Sequence, residues 1–562
     1  MFIATAKSPV TGKTSVYLKE GYRENGKVKH RNLYFYGFLE ELEEKDPDIL
    51  SKLKAQAKQM GKDNGVLQLA VDFRKQKTGS KPLLNYGYAF LQSIYNDLKI
   101  PEFIHGYQAN TQIEYPLNDI LELLIYSRCL NPSSKKKTFE GKGNYFLDLP
   151  DFTLDHVYRS LGPLCAMKNE LTLHLHKQIQ ETRKRDCSLV FYDVTNYYFE
   201  SEKIEGLRQK GVSKENRETG LVQMGLFIDN EGIPITYELF PGNTNDMATM
   251  KPILKKIREE YGLGNITIVA DKGNNTGENL AYIHEKEDFY IISQRIRSRG
   301  AELANIVLDQ EDYELNEKGT FKFKCVERER TVEREAGTSE TITEHLLCFW
   351  SQEEEKYQRA KRGFLDEKIE KFIEKPSLLN ASNSFGVKKY FKKVMVDQKT
   401  GEVLKAKASY EFNREKYERD LALDGYYCIV TNDLKLEPLD IIHHYHQLSK
   451  IEESFKVTKS DLEGRPVYVW TDEHIQGHFL TCYLSLLLYR LLQLKLQRSV
   501  PVHQLKEALN SAKAIVLDQS ICLLVDQQSP FQEIATAFNT DFNVDYIRKE
   551  TLLEKIKTIS LH

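Results

Sequence analysis

The eight cysteines include no CxxC pair and form no compact framework, which argues against both a disulfide scaffold and a cysteine-ligated zinc site. No apolar run reaches the ~20 residues that a membrane-spanning helix needs. The most apolar segment, 479–489 (FLTCYLSLLLY), stops at Arg490 and reads as a buried core helix. The stretch Met1 to Lys7 has nothing like a secretory signal, so the expectation is a cytoplasmic chain with no membrane association. Gly 31 and Pro 16 are too few for a collagenous or linker-dominated chain, and no internal repeat or low-complexity tract stands out. Excess charge of one sign is also lacking: Lys+Arg 79 against Asp+Glu 82 leaves a net charge of -3, which excludes a protein that coats nucleic acid indiscriminately.

What is present is a chain of 562 residues, 41% hydrophobic and 29% charged, long enough for about three or four structural units. The near-neutral total hides segregation. Residues 1 to 31 carry seven Lys/Arg against two Glu, a local +5; residues 301 to 355 carry fifteen Asp/Glu against six Lys/Arg, a local -9, leaving the rest of the chain at +6.

Residues 14 to 37 alternate around Asn25-Gly26, which predicts a basic, aromatic β-hairpin within a first region, 1–60. Residues 61–185 read as helical. At residue 187 the period becomes extended: strands at 187–198, 221–229 and 233–240, the last two joined by a turn at Asn230-Glu-Gly232, are followed by a helix, the strand 265–271, a helix, and the strand 289–294. Three antiparallel strands followed by alternating helix and strand predict an α/β RNase H-like core, a mixed sheet flanked by helices, built from 186–295 and 424–497. The acid-rich stretch 296–423 interrupts it as a mostly β insertion, and 498–562 reads as a C-terminal helical region.

Asp193 ends the apolar run SLVFY and Asp271 ends the run ITIVA. Carboxylates at the ends of buried strands emerge at the sheet edge, where open α/β sheets place ligands. Glu452 follows Ile451 on a helix whose Ile451, Phe455 and Thr458 form the docking face, so it borders that face. Each acid alone reads more simply as an ordinary surface carboxylate. Together, in this element order, they suit hard divalent cations: two Mg²⁺ ions, with Mn²⁺ able to substitute, for phosphoryl transfer.

These residues carry a resemblance. The frame Tyr445, two residues, Leu448, three residues, Glu452, six residues, Lys459 resembles the Y-(2)-R-(3)-E-(6)-K signature of bacterial insertion-sequence DDE transposases of the insertion sequence four group. The runs YDVTNYYFE around Asp193, FPGNTND (240–246), VADKG (269–273), RPVYVW (465–470) and GHF (477–479) match as well. The resemblance implies catalytic, metal-holding Asp193, Asp271 and Glu452, and a helical DNA-binding region before the core. It implies cleavage and joining of element ends, with a hairpin intermediate, by a homodimer in a synaptic complex on double-stranded DNA, both terminal inverted repeats and target. It also implies a bacterial, nucleoid-associated location. Tyr445 and Lys459 would grip phosphates there; Leu448 stands where the group has Arg and cannot do so, which leaves Lys450 as the substitute. Two other readings stay open: a catalytically degenerate protein that only binds terminal repeats, and an RNase H-like nuclease.

Weaker signals complete the set. Lys210, Lys214 and Arg217, in the polar loop after the first strand, are candidates for DNA contact, as is Trp470 by stacking on a base, although a core role explains Trp470 equally well. The run His443 to His446 and the pair His474 and His478 read as helix-face histidines rather than metal ligands.

Overall fold

The computed structural model describes residues 1–9, 12–24, 27–60, 82–201, 203–211, 219–297, 300–334, 337–375, 386–395, 408–496, 498–518, 520–525 and 527–560. The chain forms two compact units, one from Met1–Tyr158 and Leu491–His562, the other from Arg159–Arg490.

The unit 159–490 is built on a nine-stranded sheet. Its strands lie side by side in the order Glu314–Leu315, Phe321–Glu333, Ser339–Ser351, Tyr426–Thr431, Phe289–Gln294, Thr267–Ala270, Leu189–Tyr198, Leu221–Ile228 and Pro234–Pro241. The strand Thr267–Ala270 is parallel to both neighbours, and the other pairings are antiparallel, so the sheet is mixed. Helices cover both faces, which is why strands such as Leu221–Ile228 are buried along their whole length and read as continuous apolar runs. Val190, Tyr192 and Val194 share one core with Ile253 and Ile257 of the helix Met250–Tyr261 and with Leu280 and Ile283 of the helix Gly277–Glu285. On the opposite face Tyr197 bonds Thr458 at 2.6 Å and packs edge-on against Phe479 at 4.8 Å. Phe479 opens the apolar segment 479–489, which is buried throughout within the helix Asp472–Lys495.

The span 296–423 divides into two parts. Its long hairpin, Phe321–Glu333 with Ser339–Ser351, joins the central sheet through the pairing of Leu347 with Ile429. Only the remainder, with the helix Gln352–Glu374, the paired strands Phe391–Met395 and Ala408–Phe412, and the helix Arg414–Ala422, has a small core of its own, around Ile369, Phe372, Val387 and Tyr390. Acid-rich composition masked the first part: Glu327, Glu329 and Glu333 are exposed, whereas Glu344, buried in the sheet, pairs with Arg328 at 2.6 Å.

In the other unit the basic N-terminal segment is a three-stranded antiparallel sheet, Phe2–Lys7, Thr14–Glu24 and Lys27–Phe38; the expected turn residues Asn25 and Gly26 lie outside the described residues. Helices Tyr88–Asp97, Ile100–Ala109 and Leu117–Leu130 follow. The region after 498 holds the helices Val502–Ser511, Phe531–Ala537 and Lys549–Ser560, and in addition to them it contributes Lys513–Asp518, Ile521–Leu524 and Tyr546–Arg548 to a four-stranded sheet completed by Leu83–Asn85, a partner too distant in sequence for local periodicity to show.

Candidate active site

Asp193 and Asp271 come together through strand register. Tyr192 lies beside Ala270 in the parallel pair, so the next residue on each strand is an acid, on strands ~4.8 Å apart. Tyr192 and Ala270 point into the core, and alternation therefore turns both carboxylates to the opposite face, the one covered by Thr458 and Phe479. Asp271 also starts the turn Lys272–Asn274, where its carbonyl accepts the Asn274 N–H at 2.9 Å. Its carboxylate accepts the Ser293 hydroxyl at 3.2 Å. Asn275 fixes that turn by donating to the Ser293 carbonyl at 3.0 Å and to the Gln294 side chain at 2.9 Å, and it accepts from Arg330 of the long hairpin at 2.9 Å.

Glu452 is exposed on the helix Ser449–Lys456, which docks through buried Ile451 and Phe455. Tyr445, on the preceding helix Pro438–His446, ties this acid to the others. Burial is the main cause that raises its phenol pKa; the charges of Asp271 and Glu452 raise it further, and a hydrogen bond with Ser293 opposes them. The charges of both carboxylates are thus felt at a single hydroxyl, and the raised pKa keeps that phenol neutral. Lys459, on the short π-helical turn Val457–Asp461, donates to Thr195 at 2.5 Å, two residues beyond Asp193 on the same face.

Other expected residues are placed differently. Lys450 has its amine bonded to the Asn230 carbonyl at 2.5 Å and to Gln447 at 2.8 Å, and burial lowers its pKa. Leu448 is buried, so an apolar residue suits the position it holds. Trp470 is half exposed, with the Arg208 guanidinium 5.5 Å from its ring. The loop bearing exposed Lys210 is pinned next to it by the bond from the Leu207 N–H to Asp472 at 2.9 Å. Lys214 and Arg217 lie outside the described residues. His478 is buried and faces the Gly464 carbonyl at 3.1 Å, a structural role. Sequence reasoning missed Ser293, Thr195 and Arg208. Ser293 carried one usable signal, a polar residue ending the apolar run FYII.

Among the described residues no three His, Cys, Asp or Glu side chains converge as a ready-made metal cluster. The chemistry of the donors nevertheless fits a hard divalent cation. Two same-face carboxylates sit on neighbouring strands, and a third is near enough for its charge to be felt at the same phenol.

The profile of the transposase DDE domain family matches residues 188–488, a span that holds all three acids and the long hairpin. The chain belongs to this family. Its mixed, helix-flanked sheet fits the RNase H-like core of the DDE domain. Among solved structures, the DDE chain is similar to a piggyBac transposase synaptic complex with hairpin DNA, at 8% identity and a TM-score of 0.33 over 80% of this chain and 86% of that one. It is also similar to a Mos1 transposase paired-end complex with left transposon end, at 13% identity and a TM-score of 0.15 over 43% and 74%. No curated protein matched in sequence.

Proposed function

We propose that the protein is a metal-dependent DNA transposase of the insertion sequence four type that cuts the ends of its element and joins them to target DNA. The reading rests above all on the register that sets Asp193 beside Asp271, with Glu452 acting on the same Tyr445 hydroxyl. Asp193, Asp271 and Glu452 would hold two Mg²⁺ ions, or Mn²⁺ in their place. Bound ions of this kind supply Lewis-acid stabilisation of phosphoryl oxygens and lower the pKa of water. Ser293 and Asn275 keep the Asp271 turn in place. Tyr445 and Lys459 offer a neutral donor and a cation to the phosphate next to the cut, while Trp470 and Lys210 line the approach. The freed 3′ hydroxyl then attacks the opposite strand, forming a hairpin, or attacks target DNA. A homodimer would hold two ends in one synaptic complex.

The test is scission of a duplex carrying the terminal inverted repeat found beside the coding region, in Mg²⁺. Asp193→Asn, Asp271→Asn and Glu452→Gln should each lower the rate by about 10³-fold or more, while repeat binding persists. Unchanged scission by any of them would remove that residue from the site. A second reading, a protein that binds terminal repeats without cutting, gains support from Lys450 being engaged at Asn230 and Leu448 being buried. Wild-type binding without Mg²⁺-dependent scission would favour it.

A further inference from the structure

The long hairpin reaches past the strand that joins it to the central sheet. Ser339–Ser351 pairs with Tyr426–Thr431 only from His345 to Trp350, whereas its pairing with Phe321–Glu333 continues out to Ser339. The outer half, 328–333 with 339–344, lies against the helix Gly277–Glu285, which follows the Asp271 turn. Val332 and Ile342 are buried in one core with Leu280 and Ile283. A Cβ at Gly277 would stand 3.2 Å from the Glu333 amide nitrogen, and Glu340 meets the His284 ring at 2.7 Å. The segment that carries Asp271 is therefore backed by the hairpin.

One hairpin side chain reaches the turn itself. Arg330, 11% exposed, donates from Nη1 to the Asn275 side-chain oxygen at 2.9 Å. A guanidinium has no acceptor, so this bond decides which end of the amide faces the hairpin: the oxygen faces Arg330 and the nitrogen faces the sheet. That nitrogen donates to the Ser293 carbonyl at 3.0 Å, and the Ser293 hydroxyl donates to the Asp271 carboxylate at 3.2 Å. Ser293 thus holds the turn twice, at its far end through Asn275 and at its start through Asp271. Asn275 is buried, and leaving its oxygen without a donor would cost about 1–3 kcal/mol, so loss of Arg330 favours a shifted turn. Arg328, two residues earlier on the same strand, directs two bonds to Glu344 at 2.9 and 2.6 Å, and Arg330 stands 3.7 Å from that carboxylate. The two arginines share a counter-charge, but the bond to Asn275 belongs to Arg330.

We propose that Arg330 is a positioning residue for the metal site: acting through Asn275 and Ser293, it holds the Asp271 carboxylate in the orientation that receives a divalent cation. The inference rests on the reading of Asp271 as a metal ligand. The hairpin then contributes to cation affinity without supplying a ligand.

Titration of the full chain with Mn²⁺, following the free ion by electron paramagnetic resonance, reads affinity directly and needs no DNA. Arg330→Met should weaken Mn²⁺ binding by about tenfold, as loss of an outer support of a metal ligand does. Asn275→Ala, which leaves both arginines beside Glu344, should weaken it to a similar degree, and adding Arg330→Met to it should change the affinity by less than about twofold. Arg328→Met takes the closer arginine from Glu344; it should lower the urea midpoint and leave Mn²⁺ affinity within about twofold of the wild type. Unchanged affinity in Arg330→Met or in Asn275→Ala would overturn the proposal. So would equal weakening by Arg328→Met, since that means a general loosening of the hairpin. Asp271→Asn separates the two readings. If it leaves Mn²⁺ binding intact, or if the wild type binds none, the metal reading of the site fails; if it abolishes binding while Arg330→Met does not weaken it, only the role of Arg330 fails.

Discussion

Leu448 shows how a residue that breaks a sequence motif can still satisfy its surroundings. A guanidinium at that position would lose water among buried neighbours unless it worked its way out along the helix, so Leu448→Arg should destabilise the protein by about 1–3 kcal/mol. A lowered midpoint in urea, without faster DNA cleavage, is the expected outcome, and a gain in cleavage rate would mean that an arginine here adds a phosphate contact. Glu122 offers a second test. It is buried in the N-terminal unit beside Asn118 and Gln92, and burial raises its pKa from 4.5 to about 7, which is about 3 kcal/mol at ~1.4 kcal/mol per pH unit. The folded-state pKa is raised, so the contribution is fully present below pH 4.5, declines as the unfolded chain ionises first, and is gone above about pH 7. Glu122→Gln should therefore flatten the stability profile between pH 4.5 and about 7 and raise the melting temperature at pH 8. Single residues were legible where chemistry and pattern coincided: Asp193 and Asp271 stood out because each interrupts an apolar run. The bond that engages Lys450 was not legible because its partner, the Asn230 carbonyl, sits on a turn 220 residues away.

Elements were legible wherever local period and turn chemistry agreed. The strands around Asn230-Glu-Gly232 are an example, with Gly232 at φ 84 and the Asp229 side chain accepting the Ile233 N–H at 2.9 Å. The long hairpin was harder to place. Its charged residues alternate as an edge strand's would, and nothing local indicates that Glu344 is fully buried with Arg328 at 2.6 Å, Arg330 at 3.7 Å and the Tyr290 hydroxyl at 2.7 Å. That cluster helps to tie the hairpin into the central sheet. Glu344→Leu would leave Arg328 and the Tyr290 phenol without their acceptor and Arg330 without its counter-charge, and the transition of the unit 159–490 should lose about 3–5 kcal/mol in urea. A loss under about 1 kcal/mol would mean that the arginines find water instead.

At the scale of the molecule, the near-zero net charge conceals a division: the acidic excess of 301–355 is spread over exposed strand positions such as Glu314, Glu327 and Glu329 and over turns and helices at Glu302, Glu311, Asp312 and Glu353. The strands bearing Asp193 and Asp271 are interior, with two strands beyond Leu189–Tyr198 on one side and five beyond Thr267–Ala270 on the other. Their amides should be among the last in the unit to exchange with deuterated solvent, and those of Glu314–Leu315 among the first; equal protection would mean that the unit opens only as a whole.

That interior position also bears on the direction of approach. The strands that lead to the acids are paired on both sides up to Tyr192 and Ala270, and helices lie over each face. On the proposed function, DNA would come in across the ends of the strands, past Trp470, Lys210 and Tyr445, as a cable enters a conduit at its mouth and not through its wall.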